Sequence, residues 1–129
     1  MCGICGFVGP GSVDDLRAMT DLLRHRGPDA EGFWHDPVRG VYLGHRRLSI
    51  IDLESGGQPM WTSDGLLGVV YNGETYNHPD LRRELTGLGH AFRTDHADTE
   101  VLLHGYRQWG EDFVSRLNGM WAFALYDAG

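Results

Sequence analysis

A thiol lies one peptide bond from the N-terminus, at Cys2. Removal of Met1 would leave one residue carrying both a thiol and a free α-amine. Such an amine titrates near about 7.7–8.0, so it can take the thiol proton close to neutral pH. Nucleophile and general base then share a residue, as in nucleophiles activated by an N-terminal amine. The small side chain at position 2 suits removal of Met1. A second thiol, Cys5, raises the possibility of a C-x-x-C redox or metal site. Residues 3–8, Gly-Ile-Cys-Gly-Phe-Val, read instead as a strand, with Ile4 and Val8 on one face and Cys5 and Phe7 on the other. Residues three apart on a strand point to opposite faces and sit roughly 10 Å apart. A disulfide needs Cα atoms within about 7 Å. A zinc site would need two further ligands from histidines scattered along the chain. Cys5 is therefore expected to be a packed structural thiol, and Cys2 by itself is a suggestive position that the rest of the sequence must decide.

Bulk properties narrow the chemistry. The chain has 129 residues, a net charge of −7 and 41% hydrophobic residues, values of a single globular domain. The negative charge disfavours a nucleic-acid partner. All 11 basic residues are Arg, which excludes a Schiff-base or P-loop lysine within these residues. No apolar run approaches the length of a membrane span, and no signal peptide is present. Two cysteines without an export signal point to a reducing, cytoplasmic location.

The elements that must position Cys2 alternate in type. A strand over Cys2–Val8 is followed by a turn at Gly9-Pro10-Gly11. Ser12 with Asp15 forms a capping-box pattern. A helix over about Val13–Arg24 places Leu16, Met19 and Leu23 on one stripe. Short strands are expected near Gly32–His35, Val41–Gly44 and Arg47–Asp52, the last buried on both faces. Glu54–Pro59 reads as a loop. Ser63-Asp64-Gly65 is a hairpin signal before a strand over Leu66–Tyr71, which Asn72-Gly73 is expected to end. Asn77 and Pro79 open a helix carrying Leu81, Leu85 and Leu88 inward. Ala91-Phe92-Arg93 reads as a short strand. Asp98 or Thr99 caps a helix with Val101, Leu102 and Tyr106 inward. A short helix precedes Asn118-Gly119, and Met120–Tyr126 is a strongly apolar strand, expected to have partners on both sides. Since the sequence ends three residues later, a domain cut before its end is expected.

Six segments occur together and in order. They are Met1-Cys2-Gly3-Ile4, Arg24-His25-Arg26-Gly27-Pro28-Asp29, His45-Arg46-Arg47-Leu48-Ser49-Ile50-Ile51-Asp52, Gly57-Gln58-Pro59-Met60, Asn72-Gly73-Glu74 with Tyr76-Asn77-His78, and Ala97-Asp98-Thr99-Glu100. Singly each is weak. In combination the chain resembles, over essentially all its length, the glutaminase domain of glutamine-dependent asparagine synthetases, a class II glutamine amidotransferase. The resemblance implies an α+β N-terminal-nucleophile fold, a four-layer αββα sandwich of antiparallel sheets. It implies that residues 1–129 are part of that domain. The remainder of the domain, and a synthetase domain using ATP and Mg, would be absent. No cofactor is implied for these residues themselves.

The resemblance also implies roles. Cys2 would attack the side-chain amide of L-glutamine, forming a γ-glutamyl thioester that water hydrolyses to L-glutamate, with release of ammonia. Asn72, through its side-chain N–H, and Gly73, through its backbone N–H, match the oxyanion hole. Arg47 matches the arginine that holds the substrate α-carboxylate, where a guanidinium fork is suited to bidentate binding. Strand alternation turns Arg46 the opposite way, so Arg46 is expected to be a surface charge. Asp98 and Glu74 match the positions that hold the α-ammonium. His25, Arg26 and Asp29 are expected to shape a nearby loop. Thr75, where the family pattern is usually apolar, and Ala97, where serine is usual, depart from it.

Three readings remain open at this level. One is a glutaminase that feeds ammonia to aspartate activation, with a homodimer left open for the full-length form. Another is the same domain attached to a synthetase with a different acceptor. The third is a scaffold that keeps the fold without catalysis. Self-activation by the α-amine gives the first testable outcome: the N-terminal peptide begins at Cys2 by mass spectrometry. A retained or blocked Met1 contradicts that mechanism.

Overall fold

The computed structural model describes residues 2–48 and 57–129. Two antiparallel sheets form its centre. In the first, β1 (Gly3–Val8) and β2 (Ala30–Asp36) flank β3 (Val41–Arg47). In the second, β4 (Met60–Trp61) and β6 (Gly119–Asp127) flank β5 (Leu67–Thr75). Helix α1 (Val13–Leu22) lies against the first sheet. Helices α2 (His78–Gly87) and α3 (Asp98–Trp109) cover the second, and a 3-10 helix (Gly110–Arg116) leads into β6. With β1 and β3 packed on β5, the layer order is α1, first sheet, second sheet, α2 with α3. This is the αββα arrangement expected from the sequence.

Local chemistry explains the helix entry. The Ser12 hydroxyl accepts from Asp15 N–H, and the Asp15 carboxylate accepts from Ser12 N–H at 2.9 Å. That reciprocal box satisfies two donors the helix cannot pair internally. Helix α1 stops at Leu22, two residues short of the expected end, because Leu23, Arg24 and Arg26 close turns on Thr20, Asp21 and Leu23. Leu16 is fully buried in this layer. On the other side, Leu67, Val69 and Tyr71 of β5 join Leu81, Leu85, Val101, Leu102, Leu103 and Phe113 in the main core.

Faces can be assigned residue by residue. Cys5 Sγ meets the Thr20 hydroxyl at 3.3 Å, and Gly3 approaches Leu23, so the odd residues of β1 face α1. Gly44 also abuts Thr20 and Cys5. Alternation then turns Ile4 of β1, and His45 and Arg47 of β3, toward the second sheet. Cys2, one step before β1, continues that even series. Across the gap, the odd side chains of β5 enter the helix core. Val70, Asn72 and Glu74 therefore face the first sheet.

Several expectations change. Asn72-Gly73 does not end the strand: β5 runs to Thr75, with Asn72 opposite Ala122 and Gly73 opposite Trp121. Nine ladder pairs with β6 override the local turn preference of Asn-Gly. Ala91-Phe92-Arg93 is not a strand. The Arg93 and Thr94 N–H groups bond the Glu100 carboxylate at 2.6 and 2.9 Å rather than a neighbouring strand. Strand β6 pairs only with β5 and exposes alternate residues, Met120 at 68%, so it is an edge among the described residues. Leu88 sits at the end of α2 and is 52% exposed. Asn77 precedes α2 without capping it by its side chain, which bonds Arg116 O and Asn118 N–H. The strand expected over Arg47–Asp52 is met at Arg47, the end of β3; Ser49–Asp52 lie outside the described residues, as does part of the Glu54–Pro59 loop.

Between the sheets the side chains change character along the strands. Trp34, Trp61 and Tyr126 pack together at one end, the Trp34 ring 4.8 Å from each of the other two. His45, only 2% exposed, lies toward the other end, with the Tyr71 backbone carbonyl beside it. Burial, and secondarily the Arg47 charge, lower its pKa to about 4 against the help of that carbonyl. The unfolded chain binds a proton on His45 as pH falls below about 6.5, while the folded chain refuses it until about pH 4. Stability is therefore lost as pH falls through that window, by about 3 kcal/mol from this group. Urea unfolding from pH 7 to 4 checks this: His45→Gln is expected to flatten the decline.

Candidate functional site

Cys2 is half-buried at the start of β1. Because Gly3 pairs with Arg46, the antiparallel register brings Cys2 opposite Arg47. The segment 24–29 wraps this corner. Arg26 Nε donates to the Cys2 carbonyl at 3.0 Å, and Asp29 N–H donates to the Arg47 carbonyl at 3.0 Å. A Cβ at Gly27 would strike the backbone joining Arg46 to Arg47, so only glycine permits this approach. The backbone of the nucleophile candidate is thus tied to the loop, and the loop to Arg47.

Arg46 is not a surface charge. It is 5% exposed, with Nε donating to Gly27 O at 2.9 Å and Nη1 on Glu31 Oε2 at 2.7 Å. Its face of β3 looks toward α1 and the 24–29 loop, where a carbonyl and a carboxylate compensate the buried charge. Arg47 points the other way, into the space between the sheets, as alternation requires.

The second sheet brings Asn72, Gly73 and Glu74 to that space on one strand. Their value lies in the edges of β5. Leu66 O and Tyr76 N–H bond the β6 side, whereas Leu67 O bonds Thr62 N–H on the β4 side. Odd residues therefore aim their N–H and C=O groups at the β4 edge. Strand β4 reaches only Val69. Beyond it, side chains take over: Gln58 Oε1 accepts from Tyr71 N–H at 2.6 Å, and Asp98 Oδ2 accepts from Thr75 N–H at 3.1 Å. Gly73 N–H lies between these two on the same edge, aimed at the β4 side. A Cβ at Gly73 would collide with the Met120 carbonyl and with Trp121. Glycine there is forced by β6.

Asp98 does not act as the helix cap; Ala97 holds that position without a side-chain bond. The Asp98 carboxylate instead turns to β5, taking Thr75 N–H and the Tyr71 hydroxyl, the latter at 3.3 Å. Burial first, and the carboxylates of Asp98 and Glu74 as well, raise the Tyr71 pKa well above its ordinary value, despite the opposing Thr75 bond. Tyr71 stays a neutral phenol and a donor. Glu74 is exposed at the end of β5.

The connection entering α3 is held from two helices. Glu100 accepts from Arg93 N–H, Thr94 N–H and the Thr94 hydroxyl. Burial alone would raise its pKa, but these donors outweigh burial and lower it. Arg82 of α2 donates to Thr94 O at 2.5 Å and Ala97 O at 2.8 Å. Sequence inspection assigned no role to Gln58, Tyr71, Arg82 or Glu100. Only Gln58 and Glu100 carried a signal, as members of matched segments.

Cys2 and Cys5 are both free thiols. Among the described residues, no three His, Cys, Asp or Glu side chains gather as a metal site, and no helix is long and apolar enough to cross a membrane. An open cavity of about 310 Å³ is lined by Trp34, Asp36, Arg39, Trp61 and Tyr126, with Gly65 and Ala128. It lies at the aromatic end of the sheets and includes none of the residues around Cys2.

A family model described as a glutamine amidotransferase domain matches residues 1–129. Asparagine synthetase [glutamine-hydrolyzing] 1 of Bacillus subtilis (strain 168) is 43% identical over 96% of this chain and 21% of its own length. Asparagine synthetase [glutamine-hydrolyzing] 3 of the same organism is 46% identical over 98% of this chain and 21% of its own length. A plant relative, asparagine synthetase [glutamine-hydrolyzing] 3 of Arabidopsis thaliana, is 43% identical over 98% of this chain and 22% of its own length. The chain thus spans about a fifth of the length of these curated relatives. Among solved structures, glutamine phosphoribosylpyrophosphate amidotransferase from B. subtilis superposes with a TM-score of 0.55 at 26% identity, over 69% of this chain and 21% of that one. The chain belongs to the glutamine amidotransferase domain family, in the form found in glutamine-hydrolysing asparagine synthetases.

Proposed function

We propose that this domain hydrolyses L-glutamine through a Cys2 thioester and supplies the ammonia for asparagine synthesis from aspartate. The observation that carries the reading is one of placement. Cys2 and Arg47 lie opposite one another on the first sheet, on the face turned toward Asn72 and Gly73 of the second.

With Met1 removed, the α-amine of Cys2 takes the thiol proton. The sulfur attacks the side-chain carbonyl carbon of glutamine, and the carbonyl oxygen takes on negative charge. Asn72 Nδ2–H and Gly73 N–H serve that oxygen. The proton held by the amine passes to the amide nitrogen, the C–N bond breaks and ammonia leaves. Water then adds to the thioester and gives a proton to the α-amine; the C–S bond breaks, glutamate is formed, and that proton returns to the Cys2 sulfur, regenerating the thiol. Arg47 holds the α-carboxylate, and Asp98, with Glu74, holds the α-ammonium. The acceptor half, ATP-dependent activation of aspartate, is assigned to the synthetase domain of the full-length protein. The residues described here supply no step of it.

Variants of the full-length protein test this. Cys2→Ala is expected to abolish glutamine-dependent asparagine formation while ammonium chloride still supports it. Asn72→Ala is expected to lower kcat for glutamine hydrolysis by about 10²–10³, as loss of one oxyanion donor does. Arg47→Ala is expected to act mainly on KM. A Cys2→Ala protein that still hydrolyses glutamine would refute the assignment. Ammonia-dependent synthesis of an amide other than asparagine would identify a different acceptor.

A further inference from the structure

We propose that Tyr71 and Thr75 are positioning residues for Asp98, and that they set the preference of this site for ligands bearing an α-ammonium. This rests on the reading of Asp98 as the ammonium-binding carboxylate.

Three groups meet behind Asp98. Tyr71 Oη lies 2.9 Å from Thr75 Oγ1 and 3.3 Å from Asp98 Oδ2, and Thr75 N–H donates to the same Oδ2 at 3.1 Å. Thr75 is fully buried and Tyr71 nearly so. Each hydroxyl has one proton to place. If Tyr71 donated to Thr75, the buried Thr75 proton would have no acceptor among the described residues, and Asp98 would lose a donor. If Thr75 donates to Tyr71 and Tyr71 to Asp98, every proton is paired. The second order satisfies the buried groups and is the one expected in a packed interior.

The consequence falls on one oxygen. Oδ2 receives both of these donors, which fixes the plane of the carboxylate, while among the described residues no hydrogen bond falls on Oδ1, the oxygen proposed to meet the ligand. The backbone donor comes from β5, two residues beyond Gly73. The grip on the ammonium and the candidate oxyanion donor are therefore held by one rigid strand. The Thr75 hydroxyl is the group that orients the phenol.

The test uses the full-length protein and two competitive inhibitors of glutamine hydrolysis, L-glutamate and glutarate, which differ only in the α-ammonium. In the unmodified protein L-glutamate is expected to bind more tightly. Tyr71→Phe and Thr75→Val are each expected to reduce that advantage about tenfold, the size of one charge-assisted hydrogen bond. The double variant is expected to fall no further, because the two act in one chain of bonds. Thr75→Ser, which keeps the hydroxyl, is expected to retain the advantage. Equal weakening of both inhibitors, or an unchanged advantage in Tyr71→Phe and Thr75→Val while Asp98→Ala abolishes it, overturns the proposal alone. An advantage that survives in Asp98→Ala overturns the reading of Asp98 itself.

Discussion

Strand β5 is the member on which the rest of the site depends. One edge is bonded to β6 along its whole length. The other edge outruns β4 and is finished by side chains, Gln58 at Tyr71 and Asp98 at Thr75. A strand N–H left without a partner in the interior is costly, so such an edge must be completed by something. Here it is completed on either side of Gly73, and the N–H between them is the one proposed to serve the oxyanion. Rigidity comes from the β6 ladder, and availability comes from the shortness of β4.

The first sheet solves a complementary problem. A residue next to a chain terminus tends to fray, because terminal residues have few partners. The Cys2 carbonyl is instead held by Arg26, and the loop carrying Arg26 is fastened to β3 through Gly27, Asp29 and the buried Arg46. Strand alternation then divides labour between neighbouring arginines. Arg46 donates to Gly27 O of the loop and to Glu31 of β2, and Arg47 faces the space between the sheets. Replacing either by lysine would lose the planar fork that makes several directed bonds at once.

Much of the fold was legible because local signals and tertiary structure agree. The Ser12–Asp15 box, the alternation of β1 and the hairpin at Ser63-Asp64-Gly65 are local patterns, and Gly65 indeed turns at φ 72° with its N–H on Thr62. Errors arose where a distant partner decides. Asn72-Gly73 has turn propensity, yet β6 keeps it in a strand. Arg46 has the character of a surface residue, and only the returning loop buries it. The 91–93 segment has strand-like side chains but meets the Glu100 carboxylate instead of a neighbour strand. For the site, residues in matched segments were readable. Tyr71 and Arg82 lie outside those segments, and their contacts with Asp98 and the 94–97 connection exist only once α2, α3 and β5 are assembled.

Everything proposed for this site turns on Cys2 working against an oxyanion hole made by Asn72 and Gly73. The most direct measurement is a crystal structure of the full-length protein after reaction with a diazoketone analogue of glutamine. The expected result is a covalent bond to Cys2 Sγ, with the analogue's carbonyl oxygen within hydrogen-bonding distance of Asn72 Nδ2 and Gly73 N. An adduct on Cys5, or one on Cys2 whose oxygen points away from both donors, would contradict it.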